Sequence, residues 1–200
     1  MQGAKLNIYL RCRYAVEPVI ACILMLILSP ILVVVALIIK LTSPGPVFFI
    51  QTRMGQNQQP FPMYKFRSMR ISGEAELKFA EKDDVRVTKF GAFIRRSRID
   101  ELPQMLNILK GEMSFIGPRP EQFQFATKFA ETIPDYHHRH VLKPGITGLA
   151  QVKSGYAFDE DTTRVKLKYD LEYLAKVGFL TDMWITLKTI TTLLSGFGAR

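Results

Sequence analysis

Apolar and polar positions divide this chain unevenly, and the first feature is a long apolar run. Residues 19–39 are apolar, interrupted only by Ser29 and Pro30. As a straight helix the run reaches about 31 Å, the thickness of a bilayer core. One reading is a single spanning helix. The other is a re-entrant element bent at Ser29-Pro30, because proline removes a backbone donor and clashes with the preceding turn. The serine hydroxyl can bond the carbonyl so freed. Charge does not choose between them. Lys5, Arg11 and Arg13 precede the run and Lys40 and Arg53 follow it, which is ambiguous for a span and natural for an element with both ends in the cytosol. No secretory signal is expected, since the run is too long and no small-residue cleavage site follows.

Past the turn Ser43-Pro44-Gly45-Pro46 the period shortens. Residues 47–51 and 62–66 predict two strands of a hairpin, joined by the polar loop at 55–60. Residues 72–84 are charged and predict a loop or short helix. Residues 88–98 predict a helix with Phe90, Phe93 and Ile94 on one side. The next helix is expected to start with Asp100 as N-cap and Glu101, Leu102 and Pro103 in its first turn. It points Leu102, Met105, Leu106 and Leu109 inward and closes at Lys110-Gly111. Near the C-terminus Asp182 is expected to cap a helix whose Met183, Leu187, Ile190 and Leu194 share a face, with Trp184 and Lys188 suited to an interface.

Composition adds a membrane-facing bias. The 200 residues carry a net charge of +9, enough chain for one cored domain plus a membrane element. Between Lys40 and Gly73 stand Lys40, Arg53, Lys65, Arg67 and Arg70 with no acid. Cations beside an apolar segment favour an anionic lipid bilayer. They would also suit a polyanion, but no DNA or RNA motif is present and a nucleic-acid partner is not expected. Cys12 and Cys22 suggest neither a disulfide framework nor a zinc site, which fits a reducing compartment. His137, His138 and His140 lack the spacing of a metal site, and Arg139 among them would repel a cation.

The candidate chemistry centres on Asp100-Glu101. Arg86, Lys89, Arg95, Arg96 and Arg98 precede the pair with no acid after Asp84. Carboxylates so surrounded stay ionised, could hold a divalent metal, and lie where phosphate is attracted. An acidic N-cap placed for stability alone explains the pair equally well. Gly117-Pro118-Arg119-Pro120 is a rigid turn that pins one arginine, either an ordinary loop or a pre-organised phosphate contact. Lys143-Pro144-Gly145-Ile146-Thr147-Gly148 is a second rigid turn, whose glycines would let backbone N–H groups approach an anion.

Several stretches together resemble the bacterial sugar transferase family of small monotopic phosphoglycosyl transferases. They are Ser29-Pro30, SPGPVFFIQTRMG (43–55), YKFRSM (64–69), Arg95, DELPQMLNILKGEMSFIGPRP (100–120) and KPGITGLAQV (143–152). The resemblance implies transfer of a sugar-1-phosphate from a UDP-sugar to polyprenyl (undecaprenyl) phosphate, with release of UMP, at the cytoplasmic face of a bacterial inner membrane. It implies Asp100 as nucleophile through an aspartyl phosphosugar, Mg²⁺ held by Asp100 and Glu101, and phosphate or nucleotide binding by Arg95 and Arg119. Lys65, Arg67, Pro118, Lys143, Gly145, Thr147 and Gln151 complete the candidate substrate contacts, and Ser29-Pro30 becomes a re-entrant break. Glu17 stands where relatives often have aspartate, one turn after Arg13, and Ile99 where leucine is commoner.

The fold expected is α+β and mainly helical, with a re-entrant helix in residues 1–42 and a membrane-associated catalytic domain in 43–200. A short β-hairpin and interfacial amphipathic helices complete it. Oligomeric state has no signature, and a homo-oligomer is compatible with the chain. Two alternatives stand: direct transfer in a ternary complex with Asp100 only a metal ligand, and a non-catalytic basic membrane-binding protein.

Overall fold

The computed structural model describes residues 2–70, 84–154 and 160–195. The fold is α+β and mainly helical. Helix α1 (Gln2–Thr42) leads into a hairpin of β1 (Phe48–Met54) and β2 (Pro60–Phe66). Helix α2 (Lys89–Arg96), a 3-10 segment (Ile99–Gln104) and the short α3 (Met105–Leu109) follow. Strand β3 (Ser114–Ile116), α4 (Phe123–Thr132), a 3-10 turn (Tyr136–His140) and β4 (Gly145–Thr147) come next, then α5 (Leu149–Ser154), α6 (Glu160–Lys176) and α7 (Phe179–Ser195).

Helix α1 runs through Pro18 and Pro30 without interruption, so the break expected at Ser29-Pro30 is not a gap in the helix. The physical reason lies in one hydroxyl. Pro30 has no N–H to give the carbonyl four residues back, Leu26 O, and Ser29 Oγ donates to that oxygen at 2.8 Å. The helix packs along the domain rather than leaving it. Ala21, Leu24, Met25 and Leu28 join Phe61, Met63, Met105, Ile108 and Met113 in one core cluster. Further on, Leu32, Val35, Ala36 and Ile39 meet Val47, Phe66, Phe90 and Ile94 in another. Its other side, including Val19, Ile23, Leu26, Ile27, Val34 and Leu37, is exposed and apolar.

The hairpin forms as expected, antiparallel and somewhat longer, with Phe49 opposite Lys65 and Gln51 opposite Met63. Asn107 closes the free edge of β2: its Oδ1 accepts from Tyr64 N at 3.1 Å and its Nδ2 donates to Pro62 O at 2.7 Å. The amide thus stands in for a neighbouring strand. Helix α2 is capped by Thr88, whose hydroxyl accepts from Gly91 N at 2.8 Å.

Two expectations about caps change, and one strand pair is new. Asp100 is not an N-cap: it sits inside the 3-10 segment, and Arg98 holds the cap position in the left-handed region (φ 58°). Asp182 likewise lies in the first turn of α7 rather than capping it. Its buried carboxylate accepts from Arg13 Nη1 at 2.6 Å, Tyr9 OH at 2.5 Å and Tyr173 OH at 2.7 Å, tying α1 to α7. Finally, β3 and β4 form a short parallel pair that the sequence pattern did not suggest. Of the region expected as a loop at 72–84, only Asp84 is among the described residues, and the side chain of Leu194 lies outside them.

Candidate functional site

The left-handed Arg98 turns the chain sharply after α2, a conformation that costs an ordinary residue on the order of 1 kcal/mol or more. The turn sets Asp100 and Glu101 between β2 and the Gly117-Pro118-Arg119-Pro120 loop, and each is only 8% exposed. Glu101 Oε1 receives Lys65 Nζ at 3.1 Å, Arg119 Nη2 at 2.5 Å and Arg98 Nη1 at 3.8 Å. Asp100 differs: its Oδ1 is buried and has no hydrogen-bond partner among the described residues.

These surroundings split the two carboxylates. Burial alone would raise Glu101, but Arg119, Lys65 and Arg98 together outweigh it and hold the group well below the usual carboxylate range. Burial dominates at Asp100 and the charge on Glu101 adds to it, so despite Lys65 and Arg119 the carboxyl is pushed up to about 6. Lys65 is itself lowered by burial against the pull of Glu101.

The arginine loop is fixed through its backbone. Pro118 O accepts from Gly145 N at 3.0 Å, Arg119 O from Arg139 Nη2 at 3.0 Å, Pro120 O from Arg53 Nη1 at 3.1 Å and Glu121 O from Met54 N at 3.0 Å. Arg139 is itself buried and gripped by Asp170 of α6, through Nε at 2.9 Å and Nη2 at 2.7 Å. Strand β3 leads into this loop, and α1 holds it from behind: Glu17 Oε1 accepts from Ser114 Oγ at 2.7 Å, and Arg13 Nη2 donates to Ile116 O at 3.2 Å. Arg13 Nε lies 3.6 Å from Glu17 Oε1, so the acid–arginine pair on α1 is kept with the longer side chain.

Of the residues singled out from sequence, Asp100, Glu101, Lys65 and Arg119 come together. Arg95, half-buried on the last turn of α2, makes no ion pair among the described residues. Arg67 goes elsewhere: its guanidinium donates to Pro44 O at 2.7 Å and Ser43 O at 2.6 Å, where it closes the C-terminal end of α1. Lys143 also departs, lying over the Tyr14 ring at 4.6 Å. Gly145 offers no free N–H to an anion, because that group serves Pro118. Its hydrogen side chain is needed instead where a Cβ would come within 2.1 Å of Gly117 N. Thr147 Oγ1 meets Thr189 Oγ1 at 2.7 Å, joining β4 to α7. Gln151 keeps both side-chain polar atoms buried and unpartnered among the described residues.

Sequence reasoning missed Arg98, Arg53 and the Arg139–Asp170 pair. In the sequence Arg139 stands out only as a neighbour of three histidines. Among the described residues no cluster of three or more His, Cys, Asp or Glu side chains is placed to hold a metal. His140 is buried, with neither ring nitrogen hydrogen-bonded among the described residues.

The fold and site define a helical domain, lying along a long apolar helix, that gathers carboxylates and guanidinium groups in one buried centre. The chain belongs to the bacterial sugar transferase family, whose sequence model matches residues 8–196. It is 47% identical to the UDP-N-acetylgalactosamine-undecaprenyl-phosphate N-acetylgalactosaminephosphotransferase of Aeromonas hydrophila, over 96% of this chain and 46% of that protein. It is 39% identical to the UDP-glucose:undecaprenyl-phosphate glucose-1-phosphate transferase of Xanthomonas campestris pv. campestris, over 94% of this chain and 40% of that one. The exopolysaccharide production protein PSS of Rhizobium leguminosarum bv. phaseoli is 42% identical over 84% of this chain and 88% of its own length. The chain thus spans less than half the length of the first two relatives.

Proposed function

We propose that this chain transfers a sugar-1-phosphate from a UDP-sugar to a polyprenyl phosphate and releases UMP. The observation that carries the reading is the unpartnered, buried Asp100 Oδ1 beside a Glu101 whose Oε1 already faces three cations. Glu101 Oε1 is engaged by cations, whereas Asp100 Oδ1 is uncommitted and, when ionised, available to attack. Such an oxygen is a competent nucleophile and splits one difficult displacement into two easier ones.

In the first step Asp100 Oδ1 forms a bond to the phosphorus that carries the sugar. The bond from that phosphorus to UMP breaks, and UMP leaves with the electron pair. In the second, a phosphate oxygen of the polyprenyl phosphate bonds to the same phosphorus, and the Asp100–phosphorus bond breaks to restore the carboxylate. Lys65, Arg119 and Arg98 meet the negative charge gathered in both steps, from positions set before substrate arrives. Arg95 adds a guanidinium without an ion-pair partner among the described residues. A pair of carboxylates suits Mg²⁺, which takes few protein ligands and completes its shell from phosphates and water. Asp100 and Glu101 would hold it through the oxygens that neither attack phosphorus nor face the three cations. When bound, Mg²⁺ would neutralise the diphosphate and ease the departure of UMP.

The same reading sets the protein on the cytoplasmic face of the membrane with α1 re-entering rather than crossing. Its support is the packing: α1 meets the domain at Arg13 and Glu17, again from Ala21 to Leu28, and again from Leu32 to Ile39. A helix standing across a bilayer leaves its domain after a few turns. A protein in which the acidic pair merely caps a helix is disfavoured, since Arg98 occupies the cap and Asp100 Oδ1 accepts no bond.

The test is UMP release from UDP-N-acetylgalactosamine, UDP-glucose and other UDP-sugars by the membrane-bound chain with Mg²⁺ and undecaprenyl phosphate. Release that depends on the sugar and is lost in Asp100→Asn supports the reading. No release with any donor from folded protein overturns it.

A further inference from the structure

A half-buried strand hides every second side chain, yet β1 exposes three apolar residues in succession. Phe48, Phe49 and Ile50 are 41%, 43% and 56% exposed. Phe48 has a local account: its ring stacks on Phe66 at 5.6 Å, on the face of the hairpin that meets the second half of α1. Phe49 lies on the opposite face. The register pairs it with Lys65, and residues directly opposite share a face with Cβ atoms roughly 5 Å apart. From that face Lys65 reaches Glu101 at 3.1 Å. An open aromatic ring therefore adjoins the cations of the reaction centre, where phosphates alone have no use for it.

We propose that Phe49 receives the first isoprene units of the polyprenyl phosphate acceptor, while the acceptor's phosphate lies toward Lys65. The inference rests on the transfer reaction proposed above and names a contact for one of its substrates. The acceptor is a dianion at one end and a hydrocarbon immediately behind it. Its site must set apolar surface directly against cations, and Phe49 beside Lys65 does so. The hydrocarbon also needs a continuous way to lipid. Val47, two residues before Phe49 in the alternation of the strand, packs in the cluster of Val35 and Ile39. The outer side of α1 there, at Leu37 and Leu41, is exposed and apolar.

The sequence holds a single tryptophan, Trp184, which makes a direct test simple. In the full chain with Trp184→Phe, Phe49→Trp moves the one indole to the site. Titration with geranyl phosphate is expected to shift its emission to the blue and saturate, whereas inorganic phosphate and geraniol at equal concentration do not. No shift with geranyl phosphate, or an equal shift with geraniol, overturns the proposal.

Kinetics give a second arm. Phe49→Ala should lower kcat/KM for geranyl phosphate and undecaprenyl phosphate alike, by about tenfold for one aromatic contact, and Phe49→Leu should recover most of it. A loss confined to the long acceptor would mean lipid anchoring, and a matching loss in kcat/KM for the UDP-sugar would mean a donor or folding role; either overturns the proposal. Absence of turnover in the unsubstituted chain would sink the transfer reaction, while the fluorescence titration reports on the site without turnover.

Discussion

Arg139 holds the backbone of Arg119, so removing it while keeping the core intact should cost activity before it costs the fold. Arg139→Met alone leaves Asp170, which is 1% exposed, as an unpaired buried charge, a change worth about 3–5 kcal/mol of stability. The informative variant is therefore Arg139→Met with Asp170→Leu, because replacing a buried ion pair by apolar residues of similar size is often neutral or stabilising by about 1–4 kcal/mol. Both proteins lose the 3.0 Å bond to Arg119 O. Pro118 and Pro120 still restrain the loop, but the guanidinium that meets Glu101 is no longer fixed from below. A displacement near 1 Å at a positioning group can cost on the order of 100-fold, so UMP release should fall by about 10- to 100-fold in the double variant. Thermal unfolding in detergent supplies the control. A double variant as stable as the parent and fully active would refute the view that this pair positions Arg119.

His140 makes a separate prediction about acid stability. Burial, with Arg139 nearby, lowers it to about 3 from an ordinary value of 6.5, so the unfolded chain binds the proton more readily. The folded state keeps its full margin above pH 6.5 and loses it as pH falls toward 3, by about 2 kcal/mol at pH 5. His140→Phe, which retains a ring against Tyr136, should flatten that dependence in denaturant titrations at pH 5 and 7.5; an unchanged slope would contradict it. On α1, Ser29→Ala leaves Leu26 O without its 2.8 Å partner. The cost should be about 1 kcal/mol, read as faster amide exchange around Pro30 in lipid nanodiscs, whereas Ser29→Thr should behave as the parent.

The elements that could be foreseen are those whose signals are local. The apolar period of Phe90, Phe93 and Ile94, the polar loop between two β-rich segments, and Gly111 after Lys110 each act within a few residues, and each appears where expected. The parallel pair of β3 and β4 could not be foreseen. Its strands are three residues each, separated by α4 and a 3-10 turn, and what joins them is the close approach of Gly117 and Gly145. The acidic pair was legible from the crowding of cations before it, and Arg119 from the rigid turn that pins it together with the family resemblance. The assignments of Arg67 and Lys143 were not, because a cation in sequence looks the same whether it awaits a phosphate or satisfies carbonyls and a tyrosine ring. Arg98 was counted only as a charge, although its left-handed backbone is what turns Asp100 and Glu101 into the site. Sequence periodicity carries side-chain chemistry and local propensity; it does not carry which buried arginine grips which distant loop.

The most direct test of the central claim is the intact mass of the protein after exposure to its UDP-sugar with Mg²⁺ and no acceptor. A covalent Asp100 intermediate predicts a species heavier by one sugar phosphate, matched by an equal amount of UMP, absent in Asp100→Asn and discharged on adding undecaprenyl phosphate. UMP that forms only once acceptor is present, with no mass change beforehand, would contradict the covalent account and leave direct transfer in its place.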